Sequence, residues 1–128
     1  MTTLAILAVA VCGGLGGAAR YGCILLVGEH WRPITIIIVN TVGSFIAGFA
    51  AVMINGLGAD PVWGYAVVVG FCGGFTTFST FANDSASLLR RKRGMRALTL
   101  TLATVLATVA FAAAGIASGE GMLTLLNP

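Results

Sequence analysis

The sequence predicts an all-α integral membrane protein with four transmembrane helices, the third broken near mid-membrane. Three observations predict it. Hydrophobic residues make up 58% of the 128-residue chain and charged residues 9%, against about 25% charged in a soluble domain. Mean hydropathy is +1.00, and the apolar residues gather in four stretches, each near the ~20 residues that cross a bilayer as helix. Within the third stretch, two adjacent glycines precede four hydroxyl residues. A soluble globule is excluded, as is a disordered chain, which needs many charges and few apolar residues. One domain, 1–128, is implied, with no room for an extramembrane catalytic module.

The first span covers approximately 3–27. No positive charge precedes its apolar run and no Ala-x-Ala-like site ends it, so it reads as a retained helix and not a signal peptide. Residues 28–33 turn the chain. Pro33 suits the first turn of the second span, 34–54, where its missing N–H costs nothing. Asn55-Gly56-Leu57-Gly58-Ala59-Asp60-Pro61 closes that span and the third runs 62–89. Arg90-Arg91-Lys92-Arg93 and Gly94 break to the fourth, 96–117. Ser118-Gly119-Glu120 and a weakly apolar tail finish the chain. Gly13/Gly17, Gly70/Gly74 and Ser44/Gly48 are small-xxx-small pairs that let helices approach closely.

With four spans, the first and third loops share a side. Arg20 and Arg32 lie toward the first loop; Arg90, Arg91, Lys92, Arg93 and Arg96 lie at the third. These are all 7 Lys and Arg residues of the chain. The opposite side holds Asp60 and Glu120. Positive charge marks the cytoplasmic side, which predicts a multi-pass protein of the cell membrane with both termini extracytoplasmic. The net charge of +3 is then a topology signal and not a nucleic-acid footprint, although the basic run could also meet anionic lipid of the bilayer. Cys12, Cys23 and Cys72 lie in apolar stretches without metal-site spacing, and read as small buried hydrophobes.

A polar side chain in hydrocarbon needs a reason. Asn40 is the strongly polar residue of the second span, with Ser44 and Gly48 following on the same face. It is either interhelical hydrogen-bond glue or a ligand. Gly73 and Gly74, then Thr76, Thr77, Ser79 and Thr80, weaken the third helix. A broken helix exposes carbonyls and amides, and such breaks form ion sites. Phe78 and Phe81 share a face and either pack or offer partly positive ring edges to a small anion. Thr101, Thr104 and Thr108 make a hydroxyl stripe on the fourth span; back-bonding to helix carbonyls is the alternative role. Asn83, Asp84 and Ser85 lie nearer the basic end. No nucleophile with a base, phosphate loop or metal cluster is present in the sequence, so the chain is not expected to be an enzyme.

Gly73-Gly74-Phe75-Thr76-Thr77-Phe78-Ser79-Thr80-Phe81 closely resembles the third-helix signature of the Fluc/CrcB fluoride channels. Val39-Asn40-Thr41-Val42-Gly43 resembles their second-helix signature, and Gly17-Ala18-Ala19-Arg20-Tyr21 is similar to their first-helix motif. The resemblance covers essentially the whole chain. It implies a subunit that exports fluoride passively from the cytoplasm and so reduces fluoride toxicity, working in an antiparallel dimer with two pores. It implies pore roles for Asn40, Phe78 and Phe81, with Ser79, Thr80, Thr104 and Thr108 as pore hydroxyls. It further implies a central, structural Na+ held by the backbone carbonyls of Gly73 and Thr76 from both subunits. Arg20 matches the motif arginine, with no role assigned.

A homodimer of opposed subunits requires a chain that inserts both ways, hence little Lys/Arg bias. Seven against zero favours one orientation, and some members of the family pair two different subunits. The expected partner is therefore a second, different subunit in the opposite orientation, with a homodimer as the other possibility. Two competing functions remain: a coupled exporter of the small four-helix type, which needs an intramembrane carboxylate that the first span lacks, and a non-conducting assembly subunit.

Overall fold

A computed structural model describes residues 2–126. Helix α1 is Thr3–Val27 and α2 is Arg32–Gly56, separated by one 3-10 turn at Glu29–Trp31. The third span is two helices: α3 over residues 61–75 and α4 over Phe78–Arg90. The last helix, α5, is Gly94–Leu126. All four spans are long and apolar enough to cross a membrane. Thr2 caps α1 by accepting from the Ala5 N–H, and Asp60 caps α3 by accepting from the Val62 N–H at 2.8 Å. Pro33 and Pro61 occupy the first turns of α2 and α3, where no helical N–H is required.

The helices alternate in direction. Pro33, at the start of α2, shares a cleft with Arg91 and Arg93, so the first and third loops lie at one end. Thr2 shares a cleft with Asp60 and Pro61, which puts the N-terminus and second loop at the other. The charge sorting expected from sequence is thus a property of the fold: Arg32 and the 90–96 bases occupy one end, and Asp60 the opposite end.

Two helix pairs carry most of the packing, α1 with α3 and α2 with α5. Both are backbone-to-backbone approaches over glycine. A methyl at Gly16 would collide with the Phe71 carbonyl and lie 2.8 Å from the Phe75 nitrogen; one at Gly74 would collide with the Gly13 carbonyl. On the other pair, Gly48 meets the Ala112 carbonyl and Gly115 the Phe45 carbonyl. Small residues drive close approach in lipid, where association gains nothing from burying apolar surface. Gly16→Ala is therefore expected to lower the thermal midpoint in detergent, by overpacking of about 1–3 kcal/mol. Gly14→Ala, with open space around the position, should leave the midpoint unchanged.

Helix α5 runs to Leu126 and corrects the expected end of the fourth span at 117. The weakly apolar tail stays helical because it continues to pack on α2: Gly119 lies against Val52, and Leu123 covers Gly56. The buried core is small. Ile36, Val39 and Phe75 form it, flanked by Cys23, Ile24, Phe71 and Phe81. It sits directly beside the break in the third span. Large apolar side chains such as Leu26 and Leu125 point outward, 89% and 78% exposed, as a lipid-facing surface requires.

Candidate functional site

The break in the third span falls at Thr76 and Thr77, not at the glycine pair. Gly73 keeps helical angles (φ −63°, ψ −37°). Thr76 and Thr77 are extended, with ψ of 161° and 115°. Gly74 serves approach to α1, while the β-branched threonines take the conformation that suits them. Before the break, residues Tyr65–Cys72 are wound as a π-helix, a form frequent near functional sites.

An extended pair inside a membrane must find partners for its backbone. Asn40 supplies them. Its Oδ1 accepts from the Thr77 N–H at 2.7 Å and its Nδ2 donates to the Thr77 carbonyl at 3.1 Å. The side-chain amide thus pairs with the main chain as a neighbouring strand would, and Asn40 is 7% exposed. The Thr76 carbonyl accepts from Arg20 Nη1 at 3.3 Å, which gives the arginine of α1 a structural partner. The Thr77 hydroxyl accepts from the Thr80 N–H and donates to Thr80 Oγ1 at 3.0 Å, capping α4, and lies 3.3 Å from Ser79 Oγ. Gly43 makes room for this arrangement, since any Cβ there would strike the Thr76 methyl.

Next to the break a cleft of about 260 Å³ opens between α2, α4 and α5. Asn40, Phe78, Phe81, Thr104 and Thr108 all line it, with Ser44, Thr76, Thr77 and Val105. The Phe78 and Phe81 rings lie 5.9 Å apart, tilted by 55°. Among the described residues no ionisable side chain lines the cleft; amide, hydroxyl and aromatic groups, with Val105, make its surface. Ser79 and Thr80, expected beside them, are outside this lining and belong to the α4 cap instead. The threonines of α5 are back-bonded: Thr104 donates to the Leu100 carbonyl at 2.8 Å, and Thr108 to the Thr104 carbonyl at 2.9 Å. They present lone pairs to the cleft unless their hydroxyls rotate. Phe78 is 79% exposed, and Gly73 and Ser79 are exposed beside it.

Sequence reasoning missed two things here. One is the pairing of Asn40 with the main chain of Thr77, which only a mapped break reveals. The other is Ser44 as a wall of the cleft; its place one turn beyond Asn40 was the available signal.

Residues 7–116 match the family model described as CrcB-like protein, Camphor Resistance (CrcB). The chain is 35% identical over 121 residues to a protein of Aquifex aeolicus named "Fluoride-specific ion channel FluC", covering 91% of this chain and 98% of that one. Two proteins from one strain of Bifidobacterium longum are also similar. "Fluoride-specific ion channel FluC 1" is 35% identical over 126 residues, covering 91% of this chain and 93% of that protein. "Fluoride-specific ion channel FluC 3" is 33% identical over 96 residues, covering 73% and 79% respectively.

Proposed function

The chain belongs to the CrcB-like family, and from that membership and the neutral cleft at the helix break we propose that it is a fluoride-specific channel subunit. It lets fluoride leave the cytoplasm passively and catalyses no reaction. The cleft carries this reading, because it joins Asn40, Phe78, Phe81, Thr104 and Thr108 on one surface without a fixed charge. Fluoride is small and strongly hydrated. The Asn40 amide and the ring edges replace part of its water shell, joined by the Thr104 and Thr108 hydroxyls when they turn from their helix carbonyls, and several weak sites let it leave again. The nearest acid on α4, Asp84, lies toward the basic end and lines a different cleft, which leaves a proton-coupled exporter without its central carboxylate.

A second subunit in the opposite orientation completes the site. Gly73, Phe78 and Ser79 expose an open, partly polar face beside the break, and a polar group at that depth needs protein cover. The one-sided bases favour a different chain as that partner, with the basic end of this one cytoplasmic and its termini outside. That two similar proteins come from one strain supports paired chains. The central Na+ fits the residues present. Thr77 N–H turns to Asn40 and so leaves the Gly73 carbonyl without its helical donor, while the Thr76 carbonyl keeps a second lone pair beside Arg20. Hard carbonyl oxygens suit a hard cation, and the partner's break would supply the remaining ligands. The ion would fix the two breaks against each other.

Reconstitution with the partner chain into fluoride-loaded liposomes tests the function. Passive efflux is expected, lost in Phe78→Ile. Efflux driven uphill by a proton gradient would overturn the channel reading, and unchanged efflux in Phe78→Ile would reduce the chain to an assembly subunit.

A further inference from the structure

The hydroxyl residues that line the cleft at the break are Ser44, Thr76, Thr77, Thr104 and Thr108. A hydroxyl carries one proton, and every threonine of this set has already given its own away. Thr76 donates to the Cys72 carbonyl at 2.8 Å and Thr77 to Thr80 Oγ1 at 3.0 Å. Thr104 and Thr108 donate to carbonyls of their own helix. Among the described residues Ser44 makes no hydrogen bond. A serine or threonine in an apolar helix ordinarily back-bonds to the carbonyl one turn before it, as Thr35 and Ser118 do at 3.2 and 2.7 Å.

Ser44 is half-buried and stands one turn beyond Asn40 on the same face of α2, about 6 Å further along the axis. The Asn40 amide nitrogen carries two protons and spends one on the Thr77 carbonyl. Helix α2 thus offers the cleft an N–H and an O–H, one turn apart, that no protein acceptor holds. Across the cleft, Gly48 packs against Ala112. One turn back on each helix, Ser44 stands level with Thr108. The Thr108 proton is held by its own helix, so Ser44 is the donor at that level. The step from Asn40 to Ser44 leads away from the basic end, where α2 begins at Arg32.

We propose that the Ser44 hydroxyl is a fluoride ligand, which takes the ion from Asn40 and holds it at the level of Thr108 on its way from the basic end. The proposal rests on the reading of the chain as a fluoride channel subunit. Thr104 and Thr108 reach an anion only by breaking a bond to their helix; Ser44 donates without that cost. A conducting site must also release its ion, which neighbouring sites of similar strength allow. Two neutral donors one turn apart meet that need. The competing role for Ser44 is that of a small residue admitting α5, and alanine would fill that role equally well.

Fluoride efflux from proteoliposomes holding the assembled channel tests this, read beside the thermal midpoint in detergent. Ser44→Ala removes the oxygen and adds no bulk. It is expected to slow efflux about tenfold or more, the worth of a hydrogen bond to a charged group. The midpoint should stay unchanged, because no bond within the protein is lost. Ser44→Cys, whose thiol is a weak donor, should fall between, and it carries the test alone if Ser44→Ala does not assemble. Thr104→Val should cost less than Ser44→Ala, since its hydroxyl must first leave Leu100. Parent rates in Ser44→Ala or Ser44→Cys, a larger loss in Thr104→Val, or slow efflux together with a lowered midpoint would overturn Ser44 as a ligand and leave the channel intact. Absence of passive efflux from the parent would instead overturn the channel reading beneath it.

Discussion

Asn40→Leu is expected to abolish fluoride flux and to lower the thermal midpoint of the purified protein together. Leucine keeps the branched outline of the asparagine side chain, but it removes both partners of Thr77. The Thr77 N–H and carbonyl, bonded at 2.7 and 3.1 Å to the Asn40 amide, would be left in a buried setting without water. Each such group costs about 1–3 kcal/mol. Asn40→Asp goes further, since it keeps an acceptor for the N–H but turns a second acceptor toward the carbonyl. It also places a carboxylate in a cleft offered to an anion. Asn40→Gln retains the chemistry at the wrong reach and should fall between. Flux in liposomes, read beside melting in detergent, separates two roles. Loss of flux with an unchanged midpoint would make Asn40 an ion ligand alone and sink its role as the clamp of the break. Unchanged flux with a lowered midpoint would make it scaffold alone.

The clamp that Asn40 makes on Thr77 shows where the sequence is readable and where it stops. Span number, loop sides and the broken third helix follow from hydropathy, charge and residue type, which act locally. The position of the break does not. Gly73, Gly74 and the threonines after them all weaken the helix by residue type, yet both glycines stay helical, Gly74 against the Gly13 carbonyl of α1, and that contact is tertiary. Thr76 and Thr77 open instead, since Asn40 and Arg20, distant in sequence, accept the cost of satisfying their backbone. Of the hydroxyl stripe, Thr104 and Thr108 line the cleft and Thr101 does not, and the direction of each proton was not legible; back-bonding at Thr104 and Thr108 depends on local rotamer choice. The end of α5 was hidden for a similar reason. Ser118, Gly119 and Glu120 fall beyond the span expected from sequence, whereas contact of Gly119 and Leu123 with α2 holds them helical.

Expressed without a partner, the chain is expected to insert with its basic end in the cytoplasm and to conduct no fluoride. The reasoning is electrostatic. Arg32 and the five bases between Arg90 and Arg96 sit at one end of the fold, while no Lys or Arg lies at the other. Each base near a membrane surface is worth about 1 kcal/mol against anionic lipid, so six on one side leave the reversed orientation almost unpopulated. Two copies with the same orientation place their breaks side by side in parallel, and their open faces at Gly73, Phe78 and Ser79 cannot meet about a two-fold axis in the membrane plane. A chain whose bases lie at its own termini and second loop would insert the other way and complete the pair. The decisive variant brings the ends close to balance, three bases against two: Arg90→Gln, Arg91→Gln and Lys92→Gln together with Asn55→Lys and Ala59→Arg, all at exposed positions. Reporters at either terminus should then find both orientations. Flux appearing at the same time would mean that the open face can pair with itself and that charge alone enforces the second chain. Mixed orientations without flux would locate the requirement in the partner's side chains. Mixed orientation and full flux from the unmodified chain would remove the need for a different partner altogether.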